Sequence, residues 1–292
     1  MNIDAKDSTP KSGDLIYDVG MHKGEDTEYY LKKGFRVVGI EADPELAQAC
    51  RSRFAGALKR AHLTIVEGAV VDQQRLTSGQ ETIRFYRNRE NSAWGTVCDD
   101  WARRNESAGT HNEAIHVRVV DFRQCVKEHG IPHYMKIDVE GVDIVCLQSL
   151  MDFANQPDYV SIESEKVSFA RLEGEFGLLE ELGYREFKAV PQVSVASQVS
   201  PVPSREGSSV VHEFQRGCSG LFGKDLPGEW KNREQILEDY RKIFIVYRLL
   251  GDYSVLRRLS VGRLFIKVLA GILRRPIPGW YDTHAKHSSV IS

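Results

Sequence analysis

Residues 14–24 read Asp14-Leu-Ile-Tyr-Asp-Val-Gly20-Met-His-Lys-Gly24, and residues 36–44 read Arg36-Val-Val-Gly-Ile-Glu41-Ala-Asp-Pro44. Each begins as a short apolar run of strand length, then turns polar and opens a stretch with helical spacing. Gly24 to Lys33 predicts a helix, stopped by Gly34 after Lys32 and Lys33, which suit a helix C-terminus. Asp43 is placed to cap a second helix with Pro44 in its first position, running to about Ala57. Leu63 to Glu67 is a third strand. Strand, helix, strand, helix, strand over so short a span implies right-handed crossovers and a parallel sheet.

Outward from this core the pattern loosens and then resumes. Thr82–Tyr86 and Ile115–Val120 are expected as additional strands in an irregular stretch. Asp121 caps a helix to Glu128, His133–Asp138 is a strand, and Val142–Met151 is helical. Tyr159–Glu163, Ser168–Leu182 and Arg185–Val190 continue as strand, helix, strand. From Pro191 to Gly207 the chain turns to Ser, Val and Pro, the composition of a long exposed loop. A last strand is expected within Cys218–Phe222, then helices over about 231–250 and 253–274. The expected organisation is a disordered leader at 1–13, an α/β domain at 14–228, and a basic helical extension at 229–292.

Charge sharpens that division. The chain's 39 Lys+Arg and 41 Asp+Glu leave a net charge of −2, which argues against a general nucleic-acid binder. From Arg241 onward, however, ten Lys/Arg face only Asp252 and Asp282, so the first 240 residues carry about −10. Five widely spaced cysteines without a C-x-x-C fit free thiols in a reducing compartment, hence a cytoplasmic protein. The polar, acidic start offers no secretory signal, and no uncharged apolar run reaches the roughly 18 residues of a membrane span.

The chemistry concentrates at strand ends. Gly20 and Gly24 flank a strand-to-helix turn where backbone can approach a ligand. The spacing is not the G-x-G-x-x-G of dinucleotide binding, and Asp18 precedes it, suiting a ligand with a positive amino group. Glu41 ends the next strand, where an acid can take both hydroxyls of a ribose. An adenosine with a cationic amino-acid end is S-adenosylmethionine.

Asp18-x-Gly20-x-x-x-Gly24, Val38-Gly-Ile-Glu41-Ala-Asp-Pro44 and, most specifically, Lys136-Ile-Asp138-Val-Glu140-Gly141 resemble the FkbM family of S-adenosylmethionine-dependent methyltransferases. Asp121-Phe122, Tyr159–Glu163, Ser219–Gly223, Trp230 and Gly279–Ala285 are similar to its further signatures. The resemblance implies a Rossmann-like class I methyltransferase: a seven-stranded, mostly parallel sheet with an antiparallel last strand. It also implies methyl transfer to hydroxyls of small molecules, often sugars and polyketides. His22 departs from it, standing where many methyltransferases have a middle glycine.

On this reading the cofactor-binding candidates are Asp18, Gly20, His22, Gly24, Asp26, Thr27, Glu41, Ala42, Glu67, Gly68 and Asp138. Proton removal from a hydroxyl needs a base near the methyl group, which makes Asp138 the leading catalytic candidate. Glu140 and Glu163 are expected to act there or to bind substrate hydroxyls, and His284 is a second base if the tail folds over the crevice. Asp138, Glu140, Asp143, Glu163 and Glu165 include enough carboxylates for a divalent ion, yet their spacing demands none, so no metal is expected. Asn91–Gly95 is a candidate acceptor loop, with Trp94 as a stacking wall. Rival readings are an NAD-linked dehydrogenase or epimerase and a methyltransferase-like binding module without turnover. Expected partners are a small-molecule or glycan acceptor, no nucleic acid, and a membrane surface, another protein or a second copy of the chain through the basic tail.

Overall fold

A computed structural model describes residues 6–250, 268, 271 and 279–291. The elements in chain order are β1 (Lys11–Val19), α1 (Glu25–Lys32), β2 (Arg36–Glu41), α2 (Pro44–Arg53), α3 (Ala55–Lys59), β3 (Leu63–Glu67) and β4 (Ala69–Val70). There follow α4 (Gln73–Thr77), β5 (Thr82–Asn88), α5 (Asp99–Ser107), β6 (Asn112–Val120), α6 (Phe122–His129) and β7 (Ile131–Ile137). The last are α7 (Asp143–Leu150), β8 (Tyr159–Glu163), α8 (Phe169–Glu181), β9 (Tyr184–Pro191), α9 (Arg233–Leu250) and β10 (Tyr281–His287).

The main sheet has seven strands in the order β3-β2-β1-β7-β8-β10-β9, and β10 runs antiparallel to both its neighbours. Its strands are buried on both faces, as a parallel sheet covered by helices requires. Tyr17, Val19, Met135 and Ile137 face α6, α7, α8 and α9 through Val126, Leu147, Phe176 and Tyr240. Ile16, Val37 and Tyr134 face α1 and the 214–226 segment through Tyr29, Tyr30 and Phe222. Strand order reverses between β1 and β7, so a crevice opens at their carboxyl ends. A second sheet, β4-β6-β5, holds the irregular 82–120 stretch and stands over that crevice.

Four expectations need correction. The expected leader is ordered where it is described: β1 begins at Lys11, and Asp7 pairs with Phe153. The 218–222 stretch forms no strand; Phe222 lies flat on Tyr134 instead, with ring centroids 4.6 Å apart. The antiparallel strand comes from the tail as β10, so the boundary at 228 cuts through the fold. The 191–207 loop is pinned rather than free. Buried Lys33 bonds Ser204 at 2.6 Å and Asp225 at 2.8 Å, and Glu206 meets His133 at 2.8 Å. The helix expected over 253–274 lies outside the described residues, apart from positions 268 and 271. No described helix is long and apolar enough to cross a membrane, and all five cysteines are free.

Candidate active site

A cleft of about 830 Å³, counting the solvent at its mouth, opens at the carboxyl ends of β1, β2 and β7. One end is apolar, walled by Ile40, Val70, Phe85 and Val97; the other carries Asp26, Lys136, Asp138 and Glu140.

The loop after β1 is shaped by close approach. Gly20 has φ 82°, and a Cβ there would run into the carbonyl oxygen of Asp138, so only glycine fits between β1 and β7. His22 also sits in the left-handed region, at φ 53°, which explains why a glycine is common at this point of the loop. Its backbone N–H donates to Glu41 Oε2 at 2.7 Å, while Asp43 N–H donates to Glu41 Oε1 at 2.8 Å. Two backbone donors therefore fix one carboxylate at the tip of β2. Burial pushes Glu41 up to about 7, against those two donors. The His22 ring reaches across the cleft to Ser92 Oγ at 2.8 Å.

Beneath the loop lies a buried charge cluster. Lys136 Nζ donates to Gly20 O at 2.9 Å and to Asp18 Oδ1 at 3.2 Å, with Asp26 at 3.8 Å and Asp138 at 3.7 Å. Thr27 donates to Asp18 at 2.6 Å, and both Asp26 oxygens accept from Ser219 N–H at 3.0 Å. Burial raises Asp26 to about 7, with Lys136 opposing and Asp18 adding to the rise. Asp18 and Thr27 are fully buried and do not line the cleft; they hold the loop from below.

Past β7 the backbone tightens. Asp138 is 45% exposed in the cleft, and Glu140 follows at φ 21° with its carbonyl accepting from Thr96 Oγ1 at 2.8 Å. Glu140 Oε2 is buried without a hydrogen-bond partner, and Arg104 is 3.7 Å away. Burial, then the Glu163 and Asp138 carboxylates, hold Glu140 well above the usual range and favour its protonated form.

Of the residues singled out in the sequence, Gly20, His22, Asp26, Glu41, Ala42, Gly68, Asp138 and Glu140 line this one cleft. Others stand apart. Gly24 caps α1 against Phe54, and Glu67 turns to Arg51 at 2.6 Å. Glu163 lies behind Glu140, paired with Lys166 at 2.6 Å. His284 is no base over the crevice: it sits inside the sheet at mid-β10, 1% exposed, and burial lowers it to about 3. The 91–95 turn contributes Ser92, Ala93 and Gly95, whereas Trp94 faces elsewhere. Lys136 had been visible only as part of a motif; Phe85, Thr96 and Val97 carried no signal, because the fold of the second sheet brings them in. Asp282, opposite Glu163 in β10, is a further buried acid at the same sheet edge, raised well above its usual range by burial and then by Asp138 and Glu163.

The sheet order, with its single antiparallel strand, and the acid-tipped β2 beside a glycine loop define a class I S-adenosylmethionine-dependent methyltransferase. The chain belongs to the FkbM methyltransferase family: the Methyltransferase FkbM domain matches residues 18–186. The NAD-linked reading is thereby overturned. Among solved structures, the chain is similar to an S-adenosylmethionine-dependent methyltransferase from Archaeoglobus fulgidus (10% identity, 94% of this chain and 87% of that one, TM-score 0.36). It is also similar to a putative sarcosine dimethylglycine methyltransferase from Galdieria sulphuraria (9% identity, 96% and 80%, TM-score 0.40). A third likeness is to precorrin-6y C5,15-methyltransferase from Geobacter metallireducens (11% identity, 65% and 70%, TM-score 0.33). These likenesses are distant. No curated protein matches the chain in sequence.

The residues present fit S-adenosylmethionine, the cofactor of this class. Glu41, anchored on both oxygens by backbone, offers its remaining lone pairs to a ribose diol. The Ile40, Val70, Phe85 and Val97 wall suits an adenine, and Asp26 and Asp138 suit a cationic amino end.

Proposed function

We propose that the protein methylates a hydroxyl of a sugar, glycan or other small molecule, with Asp138 taking the proton. The observation that carries this reading is the contrast between two carboxyl groups two residues apart. Asp138 is open to the cleft, while Glu140 is only 14% exposed and favours its protonated form. Such a split divides roles: an open carboxylate accepts a proton, and a protonated one donates a hydrogen bond. Bound S-adenosylmethionine would supply an electrophilic methyl group on a sulfonium. The chain's part is to align the acceptor oxygen, accept its proton at Asp138 and orient a neighbouring hydroxyl through Glu140.

The test is transfer of labelled methyl from S-adenosylmethionine to a panel of hydroxylated acceptors, beginning with monosaccharides and glycans. Asp138→Asn keeps an oxygen that can accept from the cofactor's amino end, so it is expected to retain cofactor binding and to lose turnover by at least a hundredfold, at the lower end of general-base effects. Full turnover in that variant removes Asp138 as the base. Cofactor binding by the parent protein with no transfer to any acceptor class would favour the binding-module reading.

A further inference from the structure

Two backbone donors hold Glu41, and the side chain of each donor residue holds the second sheet. His22 donates its N–H to Glu41 Oε2 at 2.7 Å, and its ring lies 2.8 Å from Ser92 Oγ. Asp43 donates its N–H to Glu41 Oε1 at 2.8 Å, and its carboxylate accepts from Arg87 Nε at 2.6 Å and Nη2 at 2.5 Å. Arg87 lies in β5 and Ser92 in the turn that follows it. Two short chains of contacts therefore join one carboxylate to one edge of the β4-β6-β5 sheet.

The two links differ in kind. Asp43 and Arg87 form a buried fork, their side chains 7% and 9% exposed, and a planar guanidinium on a carboxylate fixes angle as well as distance. The His22–Ser92 contact instead crosses the open cleft, which both residues line. The turn runs on to Thr96, whose Oγ1 donates to the Glu140 carbonyl at 2.8 Å. The wall from Ser92 to Thr96 is thus tied to the loops after β1 and β7 and, through β5, to the tip of β2. Burial lifts Glu41 to about 7 in the free protein, and a protonated carboxyl accepts more weakly than a carboxylate. Hydroxyl donors from a ribose favour the ionised form, which holds both N–H groups firmly.

We propose that His22 and Arg87 are positioning residues that pass cofactor binding at Glu41 to the Ser92–Thr96 wall and order that wall for the methyl acceptor. The inference rests on the proposed placement of the acceptor beside Asp138 and Glu140, where Thr96 reaches. Cofactor on Glu41 steadies the backbone of His22 and Asp43, and their side chains carry that restraint across the cleft. The acceptor then meets a wall already in place, so less of its binding free energy goes into ordering the protein.

The experiment is hydrogen–deuterium exchange of the full-length protein with and without saturating S-adenosylmethionine, no acceptor being added. The cofactor is expected to slow backbone exchange from Ser92 to Thr96 by about fivefold or more, the low end of coupling between sites. Ser92→Ala removes the hydroxyl that meets His22, and Arg87→Lys keeps the charge but not the fork. Each is expected to lose most of that slowing yet keep it at Gly20–Gly24, because both donors to Glu41 are backbone groups. Ser92→Thr, which keeps a hydroxyl, is expected to retain the slowing. A parent whose Ser92–Thr96 exchange ignores the cofactor, or either disrupting variant slowed as fully as the parent, overturns the proposal. Slowing lost at Gly20–Gly24 as well overturns it too, since the substitution would then have removed the binding site rather than the link. A protein that shows the coupling yet methylates no hydroxyl would refute the proposed acceptor class and leave the link standing.

Discussion

Lys136 donates to the carbonyl of Gly20 across 2.9 Å, so a buried ammonium on β7 brackets the loop that follows β1. The same ammonium lies within 4 Å of Asp18, Asp26 and Asp138. Loop shape and site charge are thereby coupled. Acids surround the cation in excess, and that excess suits a ligand bringing positive charge of its own.

Replacing Lys136 tests this bracket. Lys136→Met keeps much of the side chain's volume but leaves Asp18 and Asp26 buried without their counter-charge. Removing one partner of a buried ion pair costs about 3–5 kcal/mol. Urea unfolding is expected to show a loss of that order, and calorimetry to show loss of measurable cofactor binding. A variant as stable as the parent would mean that the acids simply take up protons.

Glu41→Gln is expected to weaken S-adenosylmethionine binding at least tenfold, because the amide cannot accept from His22 and Asp43 on both atoms. A pH dependence accompanies it. Glu41 stands at about 7 in the free protein, and hydroxyl donors favour its ionised form, so binding expels a proton. Affinity should therefore rise from pH 6 to 8. Titration calorimetry in buffers of different ionisation heat measures the released protons, and Glu41→Gln should release fewer. Proton uptake on binding would contradict this assignment.

Stability of the free protein should fall between pH 6.5 and 8. Burial raises Glu41, Asp26 and Asp143 to about 7 and Glu175 to about 8. His133, against the cost of its burial, is raised to about 9 by Asp158 and Glu206. Each of these groups binds more protons folded than unfolded, so its contribution is lost as pH rises through the folded value. His284, lowered to about 3, slopes the other way only below its unfolded value near 6.5, and Lys188, lowered to about 8, acts chiefly above the window. The net effect is a melting temperature that falls as pH rises across this window. A melting temperature that climbs across this window would refute the linkage.

Much of the frame was legible because its signals are local. β2, β3 and β8 run over the residues their apolar runs mark out, and each ends on an acid. The capping side chains of Asp43 and Asp121 accept from Glu45 and Gln124 N–H, as their positions before helical stretches suggest. Glu41 was readable for the same reason: an acid closing a strand beside a glycine loop lies at the crevice whatever the rest of the chain does.

What the sequence alone determined, then, is the alternation of elements and the strand-end acids. Spacing within ten or so residues decides these, through side-chain periodicity and backbone caps. The tertiary structure alone decided that Tyr281–His287, far along the chain, fills the slot between β8 and β9, displacing the nearer 218–222 stretch. It also decided that His284 is buried in that slot and that Lys136 meets acids from β1 and α1. Those outcomes depend on ladder pairing, burial and charge compensation between segments distant in sequence, where free energy is set by what surrounds a residue rather than by what precedes it.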